Sequence, residues 1–440
     1  MQDKKQPLYI QLYDRLIAEI ISGHFPNGFK LPSRRDMAEK SNLSQNTVDS
    51  AYKMLADTGY AKAIPRQGYI VTYKRASTSN TPWEQNAPES IVFSPNGIDT
   101  SHINRAAYAR IVKNISYNDG KDIFSYIEKG GETELRMAIS KYLYSFRSIK
   151  CSPEQIIIGA GQEYQLRAFA SMMQNSRFVI ENPCDGRLYT ALYEDGKNIS
   201  ILPPNAGNLN LDELLRSNSD IFIIDADSRF PRGTMLNDNE RAELLNSYNG
   251  YIIEIGSDSE LCSKTGTPLY SLDTKKRVIY LGSFSRSIGP AIRTSYMVLP
   301  YELMDKWKNF HTYYYALSSK LEQLVLAEFI DKGYYTKHCR QMRRIYSEKK
   351  LYLAYRITEI LHESAVISSN GGTYITVSIN GNTAQIKQTA KSIGIKLLSL
   401  NSYNINKYTS PLENDPLILG IGDLSVRDIS KGLRLLKENI

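Results

Sequence analysis

Apolar residues recur at helical spacing from the start of the chain. Leu8, Leu12, Tyr13, Leu16, Ile17, Ile20 and Ile21 follow Pro7, a residue that a first helical turn tolerates. The spacing predicts one amphipathic helix closed by Gly23. After a loop through Gly28 and Pro32, Ser33 is a good N-cap for a short helix through Arg34, Arg35, Met37 and Ala38, and Asn42 supplies a turn. Ser44 then caps a third predicted helix. Its Val48, Ala51, Tyr52 and Leu55 fall at i, i+3, i+4 and i+7, leaving Gln45, Asn46, Asp49 and Lys53 on other faces until Gly59 ends the run. Two strand-like stretches, 60–64 and 68–73, are joined by Pro65-Arg66-Gln67-Gly68, a turn with a basic residue at its tip. Three helices and a hairpin predict a winged helix-turn-helix over residues 1–74.

The pattern then changes. Residues 75–90 are rich in Ser, Thr, Asn and Pro with no apolar period, and read as a linker. Beyond them come short apolar runs at 156–158, 178–180, 221–224, 251–253 and 278–281, each bounded by polar residues or Gly. Such runs mark the centres of buried parallel strands alternating with helices. A large α/β lobe over about 120–320 follows from this, within a domain spanning 91–440. A long helical pattern to Ile360, then strands near 373–379 and 417–421, predict a small C-terminal α+β lobe over about 325–440. The fold class is therefore multi-domain.

Composition narrows the function classes. The 440 residues are 42% hydrophobic and 23% charged, ordinary for a globular protein, and no apolar run approaches a membrane span. The start of the chain lacks a signal-peptide apolar region, so a cytoplasmic protein without a membrane partner is expected. Four scattered cysteines and five scattered histidines outline neither disulfides nor a metal site. Charge is uneven: residues 1–75 hold 12 basic against 7 acidic side chains, which is +5 of the chain's +8. That points to an anionic partner for the N-terminal unit.

In a winged helix the third helix enters the major groove and the hairpin lies along the backbone or in the minor groove. Ser44, Gln45, Asn46 and Thr47 stand at the start of that helix and carry hydrogen-bonding groups. Arg34, Arg35, Lys53 and Arg66 can take phosphates, with Gln67 and Gly68 in the same turn. Double-stranded DNA is the expected partner, although the same layout also serves protein contacts. The runs Leu31-Pro32-Ser33-Arg34-Arg35, Asn46-Thr47-Val48, Ala51-Tyr52, Gly59-Tyr60 and Gln67-Gly68-Tyr69-Ile70-Val71 resemble the GntR-type bacterial regulators. Gln45 departs from the Arg or other residue that many members carry after the Ser, so the resemblance implies no base preference.

Further on, Tyr126 with Gly130-Gly131, Gly159-Ala160-Gly161-Gln162, Glu181-Asn182-Pro183, Phe230-Pro231, Asp258-Ser259-Glu260 and Gly282-Ser283-Phe284-Ser285 occur in the order of fold-type I aminotransferases. The whole chain thus resembles the MocR subgroup, which fuses a GntR winged helix to an aminotransferase-like domain. The resemblance implies a homodimer, head to tail, with each winged helix over the partner's large domain. It also implies a pyridoxal phosphate site, and here the residues depart from it. Arg286 stands where the family has its Schiff-base lysine, and a guanidinium has no free amine for an aldimine. In the same register Ile255 replaces the acid at the ring nitrogen, Ser257 the tyrosine at the ring hydroxyl, and Asp185 the stacking aromatic. A phosphate-side remnant survives: Gly161, Gln162, Ser283, Ser285 and Arg293. No catalytic residue is assigned. One reading is a DNA-binding regulator whose second domain is a dimerisation scaffold and sensor of a small-molecule effector, with no covalent cofactor. The other is an enzyme or regulator that uses pyridoxal phosphate, or another anionic small molecule, non-covalently.

Overall fold

The computed structural model describes residues 7–22, 24–65, 67–73, 91–117, 122–203, 208–256, 258–312, 318–360, 365–368, 370–379, 382–405 and 415–439. Gly23, Arg66, Ser257 and residues 74–90 lie outside them.

The N-terminal unit consists of α1 (Leu8–Ser22), α2 (Arg34–Ser41), α3 (Gln45–Asp57) and a hairpin of β1 (Ala61–Ile64) and β2 (Gly68–Val71). Both expected caps form: Ser33 Oγ accepts from the Asp36 N–H and Ser44 Oγ from the Thr47 N–H, each at 3.1 Å. Leu12, Tyr13, Leu16, Val48, Ala51, Tyr52 and Leu55 meet in one core with Tyr60 and Val71 from the hairpin. A strand-like segment unforeseen from sequence flanks β2. The Leu31 N–H donates to Tyr69 O at 2.9 Å, the Val71 N–H donates to Phe29 O at 2.8 Å, and Lys30 pairs with Ile70.

After the linker come β3 (Ile91–Val92), α4 (Arg105–Tyr117) and α5 (Thr133–Arg147), then the large α/β lobe. It runs β4 (Ile156–Gly159), α6 (Gln162–Met172), β5 (Arg177–Glu181), α7 (Gly186–Glu194), β6 (Asn198–Leu202), α8 (Leu211–Arg216), β7 (Ile221–Ile224), α9 (Asp238–Ser247), β8 (Tyr251–Ile255), α10 (Leu269–Leu272), β9 (Val278–Ser283), β10 (Ser295–Val298) and α11 (Tyr301–Phe310). The sheet order is β4-β10-β9-β8-β7-β5-β6, with β10 antiparallel to both neighbours and the other pairs parallel. Neighbouring residues on a strand point to opposite faces, so Ile253, Ile279 and Met297 share one core with Ile157, while Ile156, Ile158, Tyr280 and Val298 join another. Two covered faces explain why the strands read as continuous apolar runs.

The small lobe follows α12 (Lys320–Asp331) and α13 (Tyr334–Ile360). It comprises β11 (Ala365–Ser368), β12 (Tyr374–Ser378), α14 (Thr383–Ser392), β13 (Ile395–Lys396), β14 (Leu398–Ser399), β15 (Leu417–Gly420) and α15 (Val426–Asn439). Its antiparallel sheet is ordered β11-β12-β15-β14, and β3 pairs in parallel with β13, so the segment after the linker packs with this lobe. The two lobes divide within α13: Tyr335 and Cys339 lie in the large-lobe core, Tyr346, Leu353 and Ile357 in the small-lobe core.

The winged helix rests on the small lobe of its own chain. Ile10 enters the small-lobe core with Tyr9 and Met54 against it, and Asp14 lies 3.7 Å from Arg356. The Arg427 guanidinium sits 5.2 Å and 5.0 Å from the ring centres of Tyr60 and Tyr73. Within the chain, α1 thus meets α13, while Arg427 of α15 meets Tyr60 and Tyr73 of the winged helix.

Candidate functional site

Two surfaces carry the sequence-derived candidates. On the winged helix, Gln45, Asn46 and Lys53 of α3 and Gln67 and Gly68 of the hairpin are all exposed. Ser44 is spent on capping, and its Oγ lies 2.8 Å from Thr47 Oγ1, so the Thr47 hydroxyl is engaged too. Arg34 is paired with Asp49 at 2.8 Å and Arg35 with Glu39 at 3.4 Å, both at the surface where water screens the pairs. Arg66 falls outside the described residues. Two exposed cations that sequence reasoning passed over, Lys30 and Lys62, belong to the same sheet. The alternation Phe29-Lys30-Leu31 was the available signal for Lys30.

The second surface is a pocket at the carboxyl ends of β5, β7, β8 and β9, where open α/β sheets bind ligands. Gly161, Gln162, Asp185, Ile255, Ser283, Ser285, Arg286 and Arg293 all line it, so the structure brings together every described residue that the sequence assigned to a cofactor site. Parallel pairing of β8 with β9, Ile255 opposite Leu281, sets the segment after β8 beside that after β9.

There Arg286 Nε donates to Asp258 Oδ1 at 2.6 Å, and its Nη2 donates at 3.1 Å to Asp258 Oδ2, Pro95 O and Thr373 Oγ1. Burial opposes the guanidinium charge, but Asp258 outweighs it, and the pKa of Arg286 is raised. The side chain that stands for the lysine therefore clamps three parts of the chain together.

The phosphate-side remnant is likewise occupied by its own neighbours. The Gly161 N–H donates to Ser295 Oγ at 3.1 Å, Gln162 Nε2 donates to Leu281 O at 3.2 Å, and Ser285 Oγ donates to Ile292 O at 2.5 Å. Ser283 Oγ accepts from the Ser285 N–H at 3.2 Å. Arg293 Nη2 reaches Glu163 Oε2 at 3.3 Å and lies so close over Gly161 that a Cβ there would be 2.5 Å from it; with φ at +104° this position suits only glycine. Asp185 caps α7 and holds Arg187 through both carboxylate oxygens. Deeper in, Arg229 is paired with Glu181 at 2.5 Å. Sequence reasoning missed Glu163, Glu181, Arg187, Asp225 and Arg229. Only the position of Glu181 and Asp225 at the ends of apolar strand runs could have flagged them.

Comparison with known proteins decides the family. A model described as bacterial regulatory proteins, gntR family, matches residues 8–71, and one described as aminotransferase class I and II matches residues 91–413. The uncharacterized HTH-type transcriptional regulator YdeL of Bacillus subtilis is 31% identical, over 98% of this chain and 96% of its own. The probable rhizopine catabolism regulatory protein MocR of Rhizobium meliloti is 28% identical over 80% of this chain and 78% of its own. This chain belongs to the MocR subgroup of the GntR-family transcriptional regulators. Among solved structures, the multiple substrate aminotransferase of Thermococcus profundus superposes with a TM-score of 0.71 at 19% identity, covering 81% of this chain and 92% of that one. At that identity the likeness shows the fold of the MocR-type second domain and nothing of its chemistry. Among the described residues no helix is long and apolar enough to cross a membrane.

The aminotransferase fold normally holds pyridoxal phosphate, and the residues here do not fit it. The ring would meet Ile255 and a capping Asp185, no amine stands at position 286, and a phosphate would have to displace Glu163 from Arg293 and Ser295 from the Gly161 N–H.

Proposed function

We propose that in this DNA-binding regulator the aminotransferase-like domain forms no aldimine and serves as dimerisation scaffold and effector module. The observation that carries the reading is the bidentate Arg286–Asp258 pair in the lysine's place. An arginine locked this way is neither a nucleophile nor free to leave without stranding a buried carboxylate. The domain limits are 1–74, 75–90 and 91–440, and the protein acts in the cytoplasm as a head-to-tail homodimer on double-stranded DNA. The DNA contacts are made by Gln45 and Asn46 to bases and by Arg34, Arg35, Lys53 and Arg66, with Lys30 and Lys62 added, to phosphates. The test is a spectral titration with pyridoxal phosphate followed by borohydride trapping. No aldimine band and no trapped adduct are expected. Stoichiometric trapping on any lysine overturns the reading.

A further inference from the structure

The pocket that occupies the cofactor position is built for the opposite charge. Each of its four arginines is matched by a carboxylate: Arg286 by Asp258, Arg229 by Glu181, Arg187 by Asp185 and Arg293 by Glu163. A fifth lining carboxylate, Asp225, has no guanidinium or ammonium partner among the described residues. It stands directly after β7. Its Oδ1 accepts from the Asp227 N–H at 3.2 Å and the Ser228 N–H at 2.9 Å, and its Oδ2 accepts from Ser228 Oγ. A carboxylate offers about four lone-pair positions, so three bonds leave one acceptor position of Oδ2 unfilled. With Asp225 ionised the lining carries one net negative charge.

Apolar and aromatic side chains share the pocket with Asp225. Ile180, Ile223 and Ile255 line the same pocket, and so does the Phe230 ring, held edge to face by Tyr374 at 5.6 Å and Tyr403 at 5.1 Å. A carboxylate that shares one pocket with an aromatic ring and aliphatic side chains is a set of groups that recognises an organic ammonium, which donates to the carboxylate. We propose that this pocket binds, without any cofactor, a small organic cation: a primary ammonium that donates to Asp225 Oδ2, on an apolar body that packs against Ile255 and Phe230. This rests on the reading of the second domain as an effector module and names the class of effector.

Burial pushes the Asp225 carboxyl up to about 7, with the Asp258 and Asp227 charges adding and the Ser228 bonds opposing. The titratable groups facing it are these two acids, Cys262 and Tyr374. Both acids are arginine-paired, and burial keeps Cys262 and Tyr374 protonated. Ionisation of Asp225 is thus the step that readies the site.

The experiment is calorimetric titration of the full chain with butylammonium, phenethylammonium and 1,4-diaminobutane, with 2-phenylethanol and inorganic phosphate as contrasts. At least one amine should bind, phenethylammonium at least about tenfold more tightly than the isosteric alcohol, and phosphate more weakly than either. Amine affinity should rise about tenfold between pH 6 and pH 8 as Asp225 ionises. Asp225→Asn should remove the preference for amine over alcohol and the pH dependence together. Failure of all three amines at millimolar concentration, tighter binding of phosphate, or an unchanged preference in Asp225→Asn overturns the proposal. If that variant does not fold, the wild-type contrast of amine with alcohol decides. Borohydride trapping and DNA binding, measured on the same samples, report separately on the regulator without aldimine chemistry, so either idea can fail alone.

Discussion

Arg286 shows how keeping a positive charge need not keep the chemistry. Its four donated bonds hold Asp258, Pro95 and Thr373, which belong to the large lobe, the segment after the linker and the small lobe. Lysine at this position cannot reproduce the fork, so Arg286→Lys should lower stability by about 1 to 3 kcal/mol, read as a drop in melting temperature. It should also trap at most traces of pyridoxal phosphate, because Ile255 and Asp185 remain. Tight binding by this single variant would show that those two replacements matter little. Asp99 offers a pH test on the same scale. Burial raises its carboxyl, but the Ser101 hydrogen bond and the Lys349 charge at 3.2 Å outweigh it, and the pKa falls to about 2. A carboxyl depressed in the folded state stabilises above its unfolded pKa and loses that contribution as pH falls through the folded one. Asp99→Asn should therefore cost about 2 kcal/mol near neutrality, and the gap from wild type should close between about pH 4 and pH 2. Thermal melts of both proteins across that range check it.

At the scale of elements, the proposed function has α3 and the hairpin read DNA together. Gln45→Ala and Asn46→Ala should relax sequence preference, with about 1 to 3 kcal/mol of discrimination lost for each good base contact. Arg35→Ala and Lys30→Ala should weaken binding to all sequences alike and flatten its salt dependence. Wild-type affinity for both at every salt concentration would mean the docking is wrong. The seat of the winged helix on α13 and α15 is a second joint. Arg427→Ala removes the cation beside the stacked rings of Tyr60 and Tyr73, a contact worth about 1 kcal/mol, and should speed hydrogen exchange in the hairpin while leaving the large-lobe strands protected.

At the scale of the molecule, α13 is the shared beam. Its 27 residues span about 40 Å and carry Tyr335 and Cys339 in one lobe core, Leu353 and Ile357 in the other, and Arg356 beside Asp14 of the winged helix. Residues 75–90 could span at most about 55 Å, which permits the winged helix to dock on its own chain's small lobe or on a partner's large domain. Sedimentation at micromolar concentration should give a dimer. A stable monomer would leave the winged helix with only the seat it has within one chain.

Periodicity and turn chemistry make much of this protein legible in its amino-acid sequence. The caps at Ser33 and Ser44, the apolar stripe of α3 and the apolar runs of the parallel sheet are local signals, each written within about ten residues. The missing amine at 286 is equally plain there, because an arginine cannot become one. The tertiary structure alone decided what the remaining charges do. Asp258 with Arg286 and Glu163 with Arg293 are 28 and 130 residues apart, and no local pattern says which acid neutralises which base. The pairings arise because strand order brings distant loops to one edge of the sheet, where an unpaired buried charge is costly and each finds the nearest opposite one. Asp225 is the carboxylate left over when those pairs are made, so only the folded arrangement of all of them distinguishes it from the rest.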